Sequence, residues 1–430
     1  MDSKYIINKK DLKSASLYAP SWFIFGAISI YIFLSFYESF LPGILASSTK
    51  YYLIPLAVIV LLSYRTVTFK YYHFAILAWL GLKFISILWA WNGINATVKT
   101  NAMSQISMVT LFIILTLVDY EQTWVNRLIV VMEAVSASMG FLMLFFAQPY
   151  ASSLKDGESA GRNVLTLFGN QGDPNNQAAF FAVGVALGMY FIFSARKYIW
   201  LNAIVVILNT FAIVQTGSRG GLFTLAAICL VMIFIPSSSE KKMPVLLRIV
   251  VLTLVALAAA FVAVRYADAV SVERLLDFKG LSESGGSGRT DIWKNVSELF
   301  WTSPIFGAGW GSYRGYNGMT SIVHNTYLEN LCSTGILGTI LLFTPIVEAL
   351  RTGIKRRKYI VIPIVVVGLV PCFFLDAIIK RFFWNAFFFA MVAARAVDTK
   401  EDEEKRDVGH RSVKSYIFKH TEERKSKYIK

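Results

Sequence analysis

Residues 176–194 read NQAAFFAVGVALGMYFIFS, residues 198–215 read YIWLNAIVVILNTFAIVQ and residues 219–236 read RGGLFTLAAICLVMIFIP. Each run has about the length that spans a ~30 Å hydrocarbon core as a helix. Almost nothing separates them: Arg196-Lys197 at one junction and Gly217-Ser218 at the other. With no water in lipid to satisfy backbone amides, such runs must pair their amides internally, which makes them helices. The pattern continues in both directions, with further apolar runs at 21–41, 51–64, 71–91, 104–119, 125–147, 246–265, 324–349, 359–376 and 379–396. The expected fold is therefore an all-α polytopic membrane protein of about twelve transmembrane helices occupying 21–396. The chain is 55% hydrophobic and only 16% charged, against about 25% charged in soluble domains.

The formal net charge is +15. Nucleic acid is not the best account of it. Lys and Arg concentrate in alternate segments: 1–20, Arg65 to Lys70, Arg127, Arg196-Lys197, Lys241 to Arg248, 351–358 and the tail from 397. That is the positive-inside distribution, and the short segments carry it best. It predicts both termini in the cytoplasm. The polar, basic first 20 residues lack a short apolar core with a cleavage site, so the first span is expected to be an uncleaved anchor. Cys229, Cys332 and Cys372 all fall within apolar runs and read as buried hydrophobes, with no disulfide or metal spacing.

This orientation leaves two long loops outside, at about 148–175 and 266–323. The second holds a mixed-charge stretch (Asp268 to Lys279), a Gly/Ser linker (282–288) and a segment from Arg289 to Trp301. There Ile292, Trp293, Val296, Leu299 and Phe300 recur at helical spacing, which predicts a short amphipathic helix suited to the membrane interface. The tail, 397–430, alternates in charge sign and is expected to be solvated.

Three external positions stand out. Gly217-Ser218-Arg219-Gly220-Gly221 is a tight turn whose glycines permit close approach, set at a helix N-terminus that favours anions. Arg289 precedes the amphipathic helix. His324, in Val323-His324-Asn325-Thr326-Tyr327-Leu328, is the one external histidine; the other three are His73, His410 and His420. Taken singly, each admits a bland reading: a hairpin turn, a surface arginine, a helix-end histidine. Together they place two guanidiniums and a group with an ordinary pKa near 6.5 at one membrane face. Arginine pairs phosphate oxygens bidentately, and histidine accepts a hydroxyl proton. No metal-binding motif accompanies them, and no cofactor is expected.

The same residues carry a resemblance. The Gly-Ser-Arg-Gly-Gly turn, Arg289-x-x-x-Trp293, Pro304-Ile305-Phe306-Gly307-x-Gly309, His324-Asn325-x-Tyr327-Leu328, Gly335-Ile336-x-Gly338 and Asp173-Pro174-Asn175-Asn176, in that setting of loops and spans, resemble the O-antigen ligase/polymerase superfamily. The resemblance implies a GT-C-type membrane glycosyltransferase working without metal at the outer face of the bacterial cytoplasmic membrane. Its donor would be a glycan on undecaprenyl diphosphate, transferred with inversion to a hydroxyl. The acceptor would be another lipid-linked repeat unit (a polymerase) or lipid A core or protein (a ligase), and a flippase and a chain-length regulator would be natural associates. Arg219, Arg289 and His324 would be the catalytic residues. Arg162, Ser218, Gly220, Asn325 and Tyr327 would contact substrate. A transporter reading rests only on Lys83 and Asp376, the ionisable residues near mid-span, with Lys83 expected to snorkel or to pair inside the bundle. A scaffold reading would use the long loops as docking surfaces.

Overall fold

A computed structural model describes residues 21–63, 67–91, 96–151, 161–237, 243–266, 269–276, 285–319 and 322–398. The expectations for 1–20, the Gly/Ser stretch 282–284 and the tail beyond 398 lie outside these residues. Fourteen helices carry the described chain: α1 (Ser21–Tyr37), α2 (Ser48–Ser63), α3 (Tyr71–Ile85), α4 (Ala96–Thr116), α5 (Gln122–Phe146), α6 (Pro174–Tyr190), α7 (Ile199–Gln215), α8 (Arg219–Phe234), α9 (Val245–Tyr266), α10 (Ala269–Leu276), α11 (Gly285–Thr302), α12 (Thr326–Lys355), α13 (Val361–Leu369) and α14 (Arg381–Arg395). Among the described residues, seven helical stretches are long and apolar enough to cross a membrane: Trp22–Phe40, Gly43–Ser63, Tyr71–Leu88, Val98–Thr116, Gln122–Phe146, Pro174–Ala195 and Thr326–Lys355. Ile199–Gln215, Arg219–Phe234, Val245–Leu254 and Val361–Phe373 are apolar but shorter.

The centre of the bundle is α6, the first of the runs quoted above, packed against α5, α7, α8, α13 and α14. Its glycines are the reason it fits there. A Cβ on Gly184 would lie 2.5 Å from Asn209 Nδ2 and 2.6 Å from Ser136 Oγ, and one on Gly188 would lie 2.9 Å from Val206. Small residues let membrane helices approach closely, and the exposed backbone then bonds across: Gly184 N donates to Ser136 Oγ at 2.9 Å. One acid missing from the sequence-based expectation also lies in this region. Glu133 of α5 is buried near Gly188.

Two polar clusters close the bundle at opposite ends. At one end Arg395 pairs with Asp119 and donates to the Thr116 carbonyl at 2.8 Å, while Lys358 reaches Gln122, the Ala396 carbonyl and Asp398. Backbone bonds between Val397 and Tyr120 and Gln122 tie in the last described residues. At the other end Arg381 of α14 pairs with Glu38 just beyond α1, Nε to Oε1 at 2.6 Å.

Four expectations need correction. The fold is not purely helical, because the first loop holds a small antiparallel sheet in the order β1 (Ala147–Pro149), β2 (Asn163–Leu167), β3 (Asn170–Gln171). The β2–β3 turn is Phe168-Gly169, both at positive φ (52° and 76°), the two-residue geometry that matches strand twist. Second, the glycines at 285, 286 and 288 are not linker but the first turn of α11, so Arg289 lies inside that helix rather than ahead of it. Third, the apolar face of α11 does not need lipid. Val296 and Leu299 are buried against Tyr313, Val323 and Cys332, and Trp301 alone among its aromatics is fully turned out. Fourth, the run 324–349 is not one regular helix. α12 breaks at Gly335 (φ 68°, ψ −168°), and the Pro304–Ala308 loop inserts at the break. Ala308 N donates to Cys332 O (2.7 Å), Ile336 N to Pro304 O (2.9 Å) and Leu337 N to Ile305 O (3.2 Å), so the loop takes up backbone groups that the break releases.

Of the two outcomes expected for Lys83, the pairing is the one observed. Lys83 Nζ stands 3.4 Å from Glu329 Oε1 with both side chains buried, and its ammonium also faces the rings of Trp79 and Trp310. It does not snorkel.

Candidate active site

Three helix N-termini meet at the Arg381 end of the bundle, each closed by its own cap. Asp173 caps α6, its Oδ1 accepting from Asn175 N and Asn176 N at 3.0 Å each, with Pro174 at the first helical position. Ser218 caps α8, its Oγ accepting from Gly221 N at 3.1 Å, and the same hydroxyl donates to Asn175 Oδ1 at 2.8 Å. The cap of α8 is thus bonded directly to the first turn of α6. Asn325 caps α12, accepting from Tyr327 N (3.0 Å) and Leu328 N (3.1 Å). Thr326 Oγ1 donates to Leu375 O and accepts from Ala377 N, both at 2.7 Å, which fixes the start of α12 to the α13–α14 connection. A narrow cleft, with room for about one water, lies between the starts of α6 and α8 and the α13–α14 connection, lined by Asn175, Ser218, Gly220, Gly221, Phe374 and Leu375.

The Gly-Ser-Arg-Gly-Gly turn is tight for a visible reason. Gly217 has φ +56°, and a Cβ there would lie 2.1 Å from the Gly161 carbonyl. That contact brings Arg162 beside the turn. From the other side Arg219 donates Nη2 to the Arg274 carbonyl of α10 at 2.9 Å. Gly220 admits Phe374, whose side chain would be 3.0 Å from an added Cβ. Gln177, one turn into α6, brackets Leu165 of β2, donating to its carbonyl (3.0 Å) and accepting from its amide (2.8 Å). The small sheet is thereby locked to α6, and Arg162 at its entry is held over the helix starts.

His324 sits just before the α12 cap in a left-handed backbone conformation, φ 52°. Trp293 of α11 donates its indole N–H to Val323 O at 3.0 Å, so α11 and the histidine are held together. Charges from four segments act on the ring. Burial pushes its pKa below the ordinary histidine value, Arg289, Arg162 and Lys380 push it the same way, and Asp173 opposes them. Burial likewise lowers Arg162 and Arg289, with Asp173 countering in both. Arg274 falls to about 10 through burial and the charges of Arg162 and Arg219. Arg162, Arg219, Arg274, Arg289 and His324 therefore share one electrostatic neighbourhood, although they come from the β2 entry, α8, α10, α11 and the α12 approach. A neutral imidazole among guanidiniums is able to accept a proton beside an anion.

Residues 204–343 match the O-antigen ligase family. That segment is similar to the O-antigen ligase/polymerase superfamily over about a third of the chain. The chain is also 28% identical over 206 residues to the exopolysaccharide production protein ExoQ of Rhizobium meliloti (strain 1021), a match covering 42% of this chain and 45% of that relative, so less than half of the relative's length is matched. Within the superfamily segment fall Arg219, Arg274, Arg289 and His324. Arg162 and Asp173 precede it.

Not every residue that the resemblance nominated faces this neighbourhood. Tyr327 donates its hydroxyl to Leu369 O at 2.8 Å and stacks on Phe343, which makes it a packing residue. Ser218 and Asn325 spend side-chain oxygens on capping, and Gly220 serves the approach of Phe374. Arg274 and Lys380 were not singled out from sequence. The signal for Arg274 was present in the alternation of Ala269–Leu276, whose Leu275 and Ser271 turn inward and fix the arginine's register. Asp173 was legible only as part of the Asp173-Pro174-Asn175-Asn176 motif, since nothing in a single sequence says which charges a helix cap will face.

Proposed function

We propose that this chain polymerises undecaprenyl-diphosphate-linked oligosaccharide repeat units into O-antigen, capsule or exopolysaccharide at the outer face of the cytoplasmic membrane. The observation that carries the reading is the convergence of Arg162, Arg289 and Lys380 on His324, beside Arg219 and three helix N-termini. Helix starts and guanidiniums both favour an anion. In this reading an acceptor hydroxyl attacks the anomeric carbon of the donor from the face opposite the diphosphate. The anomeric C–O bond breaks, its electron pair leaves with undecaprenyl diphosphate, and His324 takes the hydroxyl proton. Arg219 and Arg289 bind the diphosphate and strengthen their hold as its charge grows, which is the differential binding that catalysis needs. The guanidiniums do the work a divalent cation does elsewhere, and the configuration inverts.

The charge distribution supports cytoplasmic termini, and in this reading Arg381 and the three capped helix starts lie outside, with Arg395 and Lys358 inside. The four shorter apolar helices and α14, added to the seven long stretches, support a count of about twelve crossings. Exopolysaccharide production by the Rhizobium relative favours a polymerase. The family's description favours the second reading, transfer of the lipid-linked glycan to lipid A core.

Mass analysis of lipid-linked glycans in a strain lacking the chain tests this. Accumulated single repeats are expected, and long lipid-linked chains instead would mean a ligase. Complementation with His324→Ala is expected to leave the single repeats unextended. Restored extension would remove the histidine from the reaction.

A further inference from the structure

Glu133 stands near the middle of α5, a helix of 25 residues long and apolar enough to cross a membrane. The residue is only 7% exposed, and its Oε1 has no hydrogen-bond partner among the described residues. The elements packed against α5 bring it no cation. α1, α6, α7, β1 and β2 contain no charged residue, and their titratable side chains are the tyrosines Tyr31, Tyr37 and Tyr190. The two arginines of α14 are committed at its ends, Arg381 to Glu38 and Arg395 to Asp119. Arg127, the other charged residue of α5, lies against the Trp124 ring at 4.7 Å, and beyond α6 the next cations are Arg196 and Lys197 in the turn to α7.

The other polar side chains of this seam are bonded. Ser136 Oγ donates to Phe180 O at 2.8 Å, and Asn209 Nδ2 donates to Val205 O at 2.9 Å. Asn202 Nδ2 donates to Lys197 O at 2.8 Å and to Tyr198 O at 3.0 Å. Glu133 instead faces a notch where α6 has no side chain. A Cβ on Gly188 would lie 3.4 Å from Glu133 Oε1 and 3.2 Å from Asn202 O, so the carboxyl and a backbone carbonyl line the same notch. A bare carboxylate in such a place costs far more than a neutral acid. The neutral acid is also a donor, with the Asn202 carbonyl as an acceptor across the notch.

We propose that Glu133 is a proton-binding site inside the bundle, its carboxyl carrying a proton while α5, α6 and α7 are packed around the notch at Gly188. Asn202 ties that notch to the Arg196-Lys197 turn, the end of the seam that the charge distribution assigns to the cytoplasm. Loss of the proton leaves an anion with no cation from the packed helices, so water or a cation has to enter beside the central helix to follow it. Proton occupancy and the packing of α6 are thereby linked. None of this rests on the transfer chemistry at the other sites.

Infrared spectra of the full chain in detergent, wild type minus Glu133→Gln, read the protonation state directly at about pH 6, where an ordinary glutamate is ionised. Gln is neutral and of similar shape, so folding is expected to survive. Wild type is expected to show one additional carboxylic-acid C=O band that shifts in D2O; its absence, or a carboxylate band in its place, would overturn the proposal. A second measurement needs no variant. Dicyclohexylcarbodiimide reacts with a protonated carboxyl: the acid oxygen bonds to the carbodiimide carbon, the proton passes to its nitrogen, and acyl migration leaves a stable N-acylurea with no redox change. Peptide mass mapping of wild-type chain treated in membranes is expected to find this adduct on Glu133, and a water-soluble carbodiimide is expected to leave the residue unmodified. A Glu133 that carries no adduct, or that both reagents modify equally, would overturn the proposal even if Glu133→Gln failed to fold.

Discussion

Replacing Gly335 by alanine tests the most unusual feature of the backbone. At φ 68° and ψ −168° the residue occupies a region that is essentially glycine's alone, and a side chain there costs about 1–3 kcal/mol. An added Cβ would also lie 2.2 Å from Ile305 O and 2.6 Å from Gly307 N. Both neighbours are backbone and cannot rotate aside, so the inserted loop must move. Moving it puts at risk the bonds from Ala308, Ile336 and Leu337, each worth about 0.5–1.5 kcal/mol net. The combined cost is about 3–6 kcal/mol, a large share of the roughly 5–15 kcal/mol that holds a typical domain together. The assay is thermal unfolding of the detergent-solubilised chain, with Gly81→Ala as control. Gly81 has open space around its missing Cβ and sits inside α3, so alanine there should be neutral or stabilising by about 0.5–1 kcal/mol. A Gly335→Ala protein as stable as wild type would mean that α12 runs unbroken and that the Pro304–Ala308 loop does not enter it.

Because burial and Arg289 both hold the His324 pKa below its ordinary value, the ring stays neutral to lower pH, and the acidic limb of activity should fall below about 6.5. Arg289→Gln removes one depressing charge, so whatever activity survives should show that limb moved upward; a downward move would contradict the geometry. Lys83→Met leaves Glu329 buried without its partner and should destabilise by about 3–5 kcal/mol, while Lys83→Met with Glu329→Leu should recover most of it, as thermal unfolding of both will report. Trp293→Phe deletes the indole bond to Val323 and should cost about 1 kcal/mol of stability by the same measurement, with a larger loss of activity because α11 carries Arg289.

The helices were legible because lipid leaves the backbone no alternative. Each apolar run predicted from sequence holds a helix in the described residues. Less legible were features that depend on what a residue meets. Nothing in Gly335-Ile336-x-Gly338 or in Pro304-Ile305-Phe306-Gly307 announces that the two segments interlock; each carries glycines because the other's backbone occupies the space. The small sheet escaped notice because β2 is five residues long and β3 two, too short for alternation to register. Arg289 was read as a loop residue since three glycines in the four residues before it argue against a helix on propensity. Packing of Ile292, Trp293, Val296 and Leu299 overrode that preference. At the candidate site the chemistry-bearing residue types were visible, but their company was not: Arg274 and Lys380 join Arg162 only through the folding of three separate connections.

The backbone at His324 shows why so much structure surrounds one side chain. A non-glycine residue at φ 52° costs of order 1 kcal/mol or more and persists only where its surroundings over-determine it. Here they do. Before the histidine, Val323 is buried and its carbonyl is held by Trp293. After it, Asn325 caps α12, and Thr326 is clasped between Leu375 and Ala377. One turn further, Glu329 is pinned by Lys83, and the first part of α12 ends at the Gly335 break, where the inserted loop and the turn after it bond to Trp89 and Ser86 just beyond α3. Removing any one of these leaves the others to relax the left-handed residue toward an ordinary conformation and swing the ring away from Arg289. The strain at His324, the break at Gly335 and the buried Lys83–Glu329 pair are then parts of one arrangement, and variants at Gly335 and Lys83 should impair transfer before they unfold the chain.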